Sequence, residues 1–257
     1  MTLLSGLICV RNGDELDYCW RESARSLLPA VDEMIICDGE STDGTQEEIR
    51  RWMEAEPKIR LCVYPWPNPV GDIKFWVKWL QYGRSHCRGG YVLQLDADEI
   101  LHEKSVPLVR LFLDRIEPGE RRSAWCHRHN FWGDSQHLIP PGVCLSHRVV
   151  RLLPQDVYLP SDGPDESGSQ AVSMAVETDI EIFHYGFLRK RKAFFKKAKG
   201  LQRMFFDTYD ERLARVEGHD NWMKTIPDVP WVEQLLPFSG VHPKSMTSWL
   251  RERGHQL

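Results

Sequence analysis

From Leu3 to Val10 the chain is largely apolar and stops at Arg11-Asn12-Gly13; apolar residues then recur at helical spacing (Leu16, Cys19, Trp20, Ala24, Leu27, Leu28) until Pro29. This pattern predicts a buried strand, a turn and an amphipathic helix over Leu16 to Leu28. The rhythm repeats. Met34 to Cys37 reads as a second buried strand, Asp38 to Gly44 as a polar loop, and Thr45-x-x-Glu48 as a capping box opening a helix with Ile49, Trp52 and Met53 on one face. Ile59 to Tyr64 is a third strand. After a connector carrying Pro65, Pro67 and Pro69, Ile73 to Cys87 has a helical stripe, and Tyr91 to Leu95 is a fourth strand entering Asp96-Ala97-Asp98-Glu99. Strands alternating with helices in this way predict an α/β fold with a mostly parallel, doubly wound central sheet flanked by helices.

The second half changes character. Ser123 to Trp132 and Leu145 to Leu153 read as longer strands, Pro154 to Gln170 as a loop rich in Pro, Asp, Ser and Gly, and Thr178 to Tyr185 as another strand. This is an α+β pattern. Arg189 to Phe206 predicts an amphipathic helix with Phe194, Phe195, Ala198, Leu201 and Phe205 inward, and the remainder to Leu257 consists of short helical pieces broken by prolines. No internal repeat is present.

Composition narrows the class. With 257 residues, 42% of them hydrophobic, and a net charge of only -4, the chain has enough apolar material for a sizeable core and is not a disordered protein. No apolar run approaches the roughly 20 residues of a membrane-crossing helix. Met1 to Val10 has no basic residue ahead of its apolar stretch, so a buried first strand is expected there rather than a signal peptide. The seven cysteines form no C-x-x-C pair and are expected to be buried thiols in a reducing compartment, not disulfides or zinc ligands.

In an open parallel sheet, ligands gather at the carboxyl ends of the strands. Here those ends deliver Arg11 and Asn12, then Asp38-Gly39-Glu40-Ser41-Thr42-Asp43-Gly44, then Asp96-Ala97-Asp98. Asp96 and Asp98 are two apart, so an extended backbone projects both carboxylates to one side, with small Ala97 between them. Such a pair suits Mg²⁺ or Mn²⁺, which takes its remaining oxygens from water and substrate phosphates. The bland alternative is a solvated turn. Asp38 stands where an acidic side chain accepts hydrogen bonds from a ribose or base, whereas Asp43 and Ser41 also fit turn and capping roles.

These segments carry a resemblance. Ile8 to Asn12, Val31 to Thr45 and Gly90 to Glu99 resemble, in order and spacing, the three nucleotide-sugar-binding segments of family-2 glycosyltransferases of the GT-A fold. The resemblance implies a nucleotide-diphosphate sugar donor, with UDP among the candidate nucleotides, a divalent metal (Mg²⁺ or Mn²⁺) and inversion at the anomeric carbon. It implies nucleotide-sugar contacts from Arg11, Asn12, Asp38, Gly39, Ser41, Asp43, Gln81, Asp96 and Ala97. Asp96 and Asp98 become metal ligands, and His184 a further candidate ligand beside the reading of a satisfied buried histidine. Downstream, Arg148 to Leu153 followed by Asp165-Glu166 and Phe183-His184-Tyr185-Gly186 is similar to the acceptor side of soluble members acting on bacterial envelope saccharides. Asp165 stands in place of a His there.

On this reading Glu166 is the first candidate for the base that deprotonates the acceptor, with Asp165 and then Asp162 behind it. A saccharide or glycolipid acceptor is expected first, and a protein or modified nucleic-acid base after it. Residues 1–103 form the nucleotide-sugar-binding half, 104–187 the acceptor-side half, and 188–257 a basic amphipathic helix with a helical C-terminal extension. In the basic stretch, Arg189, Lys190, Arg191 and Lys192 are a solvated face, a diphosphate contact, a nucleic-acid contact or a peripheral contact with anionic lipid at the inner face of a membrane. A D-x-D phosphohydrolase and a non-catalytic sugar- or nucleic-acid-binding module are the competing functions.

Overall fold

The structure, a computed structural model, describes residues 3–67, 74–143, 145–157, 170–206 and 230–257, with the backbone alone at 74, 201–206, 230 and 231. The apolar runs become β1 (Leu4–Val10), β2 (Glu33–Asp38), β3 (Ile59–Val63) and β4 (Tyr91–Asp96), connected by α1 (Trp20–Leu27), α2 (Thr45–Ala55) and α3 (Lys74–Ser85). The four strands are parallel in the order β3-β2-β1-β4. Alternating side chains serve two cores. Leu4, Ile8 and Val10 pack with Trp20, Ala24 and Leu27 on one face, while Leu7 and Cys9 pack with Val77, Trp79 and Leu80 on the other.

The sheet continues on the far side of β4 with antiparallel β8 (Arg148–Pro154) and then β6 (Ser123–Trp132). The short β5 (Glu99–Leu101) turns back directly after β4 and pairs antiparallel with the long β9 (Ala175–Phe187), which runs parallel to β6. Small strands β7 (His137–Leu138) and β10 (Leu236–Pro237) extend the β6 edge. Helices α4 (Val106–Asp114), α5 (Gln170–Ser173), α6 (Arg191–Phe206) and α7 (Thr247–Glu252) complete the described elements, with short 3-10 turns between some of them. A third core of Ile100, Phe131, Phe183, Tyr185, Met246, Trp249 and Leu250 seats the C-terminal segment beneath β9. There Arg253 lies 3.8 Å over Trp249 and pairs with Asp17.

Several predicted boundaries shift. The first helix begins at Trp20 rather than Leu16, because residues 11–19 are held in turns: the Leu16 amide donates to Asn12 O and the Tyr18 amide to Gly13 O, with positive φ at Asn12 and Asp17. The capping box does not form. Thr45 is already helical behind Gly44 at φ 93, its hydroxyl accepts from the Gly13 amide, and Glu48 turns away to pair with Arg21. The strand expected from Leu145 starts at Arg148, the basic helix at Arg191, and α4, with Pro107 in its first turn, is an element the periodicity did not predict. The six described cysteines are buried and free; Cys9, Cys37 and Cys62 share one register across β1, β2 and β3. No helix among the described residues is long and apolar enough to cross a membrane.

Candidate functional site

Strand order reverses on either side of β1, so the crevice at the carboxyl ends of β1, β2 and β4 is the ligand position of a doubly wound sheet. The loops after β1 and β2 are tied together there. The Asn12 amide donates to Ser41 Oγ at 2.8 Å, Asn12 Oδ1 accepts from the Thr42 amide at 2.9 Å, and Asp43 Oδ2 accepts from the amides of Asp14 and Glu15. Asp38 is fully buried: Oδ1 accepts from the Ser41 amide and Gln46 Nε2, each at 2.9 Å, and Oδ2 from Ser41 Oγ. Asp38 thus shapes the β2 loop as an Asx-type turn. Arg11 donates through Nε to Gly39 O and lies 4.6 Å over the Trp66 ring.

At the end of β4 the two aspartates diverge. Asp96 is 30% exposed at its side chain and accepts from Arg151 Nη2 at 3.0 Å. Arg151 also holds the fully buried Glu99 through Nε at 2.7 Å and Nη2 at 2.8 Å, and Arg128 adds a contact at 3.1 Å. Burial, then the nearby Glu99 and Asp98 carboxylates, raise Asp96 above the usual carboxylate range against the pull of Arg151. For Glu99 burial acts in the same sense, but Arg151 and Arg128 outweigh it and hold the group ionised.

Asp98 is buried and points at α6. Its Oδ2 accepts from Arg189 Nη2 at 2.5 Å and Lys197 Nζ at 3.0 Å, while Oδ1 lies 3.7 Å from His184 Nε2. Burial would raise its pKa, yet the cations hold it well below the ordinary range. Arg189 is locked: Nε donates to Gly186 O, Nη1 to Leu16 O, and the guanidinium lies 4.2 Å over Tyr18. His184, pushed down to about 4 by burial, is neutral at pH 7, and its buried Nδ1 has no hydrogen-bond partner among the described residues. A Cβ on Gly186 would sit 2.5 Å from His184 Nε2 and 2.9 Å from Asp98 Oδ2, so this position has room for glycine alone.

The donor set does not fit a divalent cation as arranged. Asp98 Oδ2 already carries two protein cations, Asp96 Oδ2 carries Arg151, and the described residues contain no group of three or more His, Cys, Asp or Glu side chains able to hold a metal. An ion on Asp96, Asp98 and His184 would face Lys197 and Arg189 at contact distance from the same carboxylate.

The structure therefore brings Arg11, Asn12, Asp38, Gly39, Ser41 and Asp43 into one loop cluster, and joins Asp96, Ala97, Asp98 and His184 at the ends of β4 and β9. Arg189 bridges the two by contacting both Asp98 and Leu16. Gln81 lies on α3, half-buried. Asp162, Asp165 and Glu166 lie outside the described residues. The expected surface role of Arg189 is corrected, since its side chain is 1% exposed and bound to Asp98; Lys190 and Lys192 are exposed. Sequence reasoning missed the roles of Arg151, Glu99, Lys197 and Trp66. Only Glu99 and Trp66 had a local signal, next to D-x-D and inside the proline connector.

Residues 7–137 match the family model described as glycosyl transferase family 2. No curated protein matches the chain. Among solved structures it is similar to S. aureus TarS 1-349, at 11% identity over 90% of this chain and 77% of that one, with a TM-score of 0.47. A second similar structure is TarS 1-349 in complex with UDP-GlcNAc, at 13% identity and a TM-score of 0.48, over 70% of this chain and 58% of that one. A third is the mannosyltransferase PcManGT from Pyrobaculum calidifontis in complex with GDP-Man and Mn²⁺, at 14% identity over 90% of this chain and 72% of that one, with a TM-score of 0.48.

Proposed function

We propose that this chain, which belongs to glycosyl transferase family 2 and is thus a sugar transferase, moves a glycosyl group from a nucleotide-diphosphate sugar to an acceptor hydroxyl with inversion at the anomeric carbon. The observation that carries this reading is the meeting of the β1, β2 and β4 loops at the switch point of the sheet. Buried Asp38 sets the shape of one wall there, and the Asp96 and Asp98 carboxylates with their cations form the other. Family membership sets aside the phosphohydrolase and binding-module alternatives.

In the proposed division of labour, residues 1–103 hold the donor, 104–187 face the acceptor and 188–257 close the site from the α6 side. The acceptor loses its proton to a carboxylate as it attacks the anomeric carbon, and Glu166, with Asp165 behind it, is the proposed base. A Mg²⁺ or Mn²⁺ ion on Asp96, Asp98 and His184 has the donor geometry against it, so no step is assigned to an ion. A saccharide or glycolipid is the proposed acceptor, with the exposed Lys190 and Lys192 placed to meet an anionic surface that carries it.

Calorimetric titration with UDP-, GDP-, dTDP- and CMP-sugars tests the reading. Saturable binding of one of the UDP, GDP or dTDP classes is expected, with release of that nucleoside diphosphate once a saccharide acceptor is added; the CMP-sugar, a monophosphate, is the control and should not bind. Absence of binding across the three diphosphate classes, with and without Mn²⁺, would overturn it.

A further inference from the structure

The end of β4 carries more positive charge than its carboxylates need. Among the described residues, three acidic groups, Asp96, Asp98 and Glu99, face four cations, Arg128, Arg151, Arg189 and Lys197. The guanidiniums are committed. Arg151 makes three contacts to Asp96 and Glu99, and Arg189 binds two backbone carbonyls as well as Asp98. Lys197 differs. Its ammonium has three donors, and its described contacts are one hydrogen bond to Asp98 and a position 4.8 Å over Tyr18; its side chain is 23% exposed, against 1% for Arg189.

We propose that Lys197, aimed by Asp98 and Tyr18, is the group that binds the diphosphate of a nucleoside diphosphate at this site, so that the protein itself supplies the positive charge there and no divalent cation is required. The inference rests on the transfer reading above and deepens it. An ammonium fixed beside a buried carboxylate is already partly desolvated and oriented, so it meets developing charge on the departing diphosphate with little reorganisation. Asp98 then acts as a positioning residue for Lys197. Among the described groups the four cations leave one unit of charge in surplus, which favours an anion and opposes a divalent cation.

UDP and GDP are the probes, titrated calorimetrically into the full chain in EDTA and in Mn²⁺. The wild type is expected to bind one of them with equal affinity in both conditions, Lys197→Met to lose about 10- to 100-fold, and Lys197→Arg to recover most of the loss. Asp98→Asn, if it folds, should lose affinity by the same factor in EDTA and in Mn²⁺, because Lys197 loses its aim, whereas removal of a metal ligand would lower only the Mn²⁺-dependent affinity. Wild-type binding that vanishes in EDTA and returns with Mn²⁺ overturns the inference and leaves the transfer reading standing; so does unchanged affinity in Lys197→Met. If neither UDP nor GDP binds wild type in either condition, dTDP is titrated in their place, and absence of binding by all three makes the transfer reading fall and takes the inference with it.

Discussion

Gly186 and Asp98 are in direct apposition: a methyl group at Gly186 would come within 2.9 Å of Asp98 Oδ2 and still closer to His184. The backbone of β9 therefore closes over the carboxylate that Arg189 and Lys197 hold. Gly186→Ala should cost about 1–3 kcal/mol by overpacking and push Asp98 off its cations. A lowered melting temperature together with weakened UDP binding is the expected result; a variant that matches wild type in both would show that β9 yields without effect on Asp98.

Arg151 is expected to be the most sensitive charged position at the site. Arg151→Met leaves buried Glu99 with Arg128 as its described cation and the Asp96 amide as a further donor, and takes the described cation from Asp96, which for a buried ion pair costs about 3–5 kcal/mol. Adding Glu99→Gln should restore part of the loss, because the stranded charge is gone. Urea denaturation of the two single variants and the double variant gives the coupling, and strict additivity would show that the residues do not act as a pair.

The tie between the first two loops rests on Asn12, at φ 48. Asn12→Gly removes the hydrogen bond from the Thr42 amide but keeps the left-handed backbone easy; Asn12→Ala loses the bond and adds a strain of about 1–2 kcal/mol. The alanine variant should be the less stable of the two by thermal melting, and the reverse order would mean the loop rearranges.

Glu33 supplies a pH dependence away from the site. Burial disfavours its charge, but Ser5 Oγ at 2.6 Å, the Arg88 amide at 2.5 Å and Arg60 Nη2 at 2.7 Å hold its pKa below the usual glutamate value. A depressed folded-state pKa contributes stability above the unfolded value and loses it as pH falls through the folded one. Denaturant titrations of wild type and Glu33→Gln should differ by about 1–3 kcal/mol at pH 7 and converge in acid below the ordinary glutamate pKa. A gap that stays constant with pH would assign the loss to shape rather than charge.

The parallel half of the fold was legible because its strands are buried on both faces and so read as unbroken apolar runs, each followed by polar residues that the topology then gathers. Asp38, Asp96 and Asp98 were singled out on that logic. What surrounds them was not legible. Arg189 and Lys197 lie 91 and 99 residues from Asp98, and a basic helix looks the same in sequence whether its charges meet solvent or a carboxylate. One clue was present: Lys197 falls three residues after Phe194 and four before Leu201, both read as inward from the sequence, and so shares their face of the helix. Glu48 misled for the same reason, since a capping pattern cannot show that Arg21, on another helix, claims the carboxylate first.

The pairing of Asp17 with Arg253 spans 236 residues, joining the loop that follows the first strand to the residues just after the last helix. At about 5–20 residues per second, a ribosome needs roughly 12–47 s to travel from one to the other. Throughout that interval the nascent β1 loop lacks this clamp, and its anchoring waits on a segment made 236 residues later.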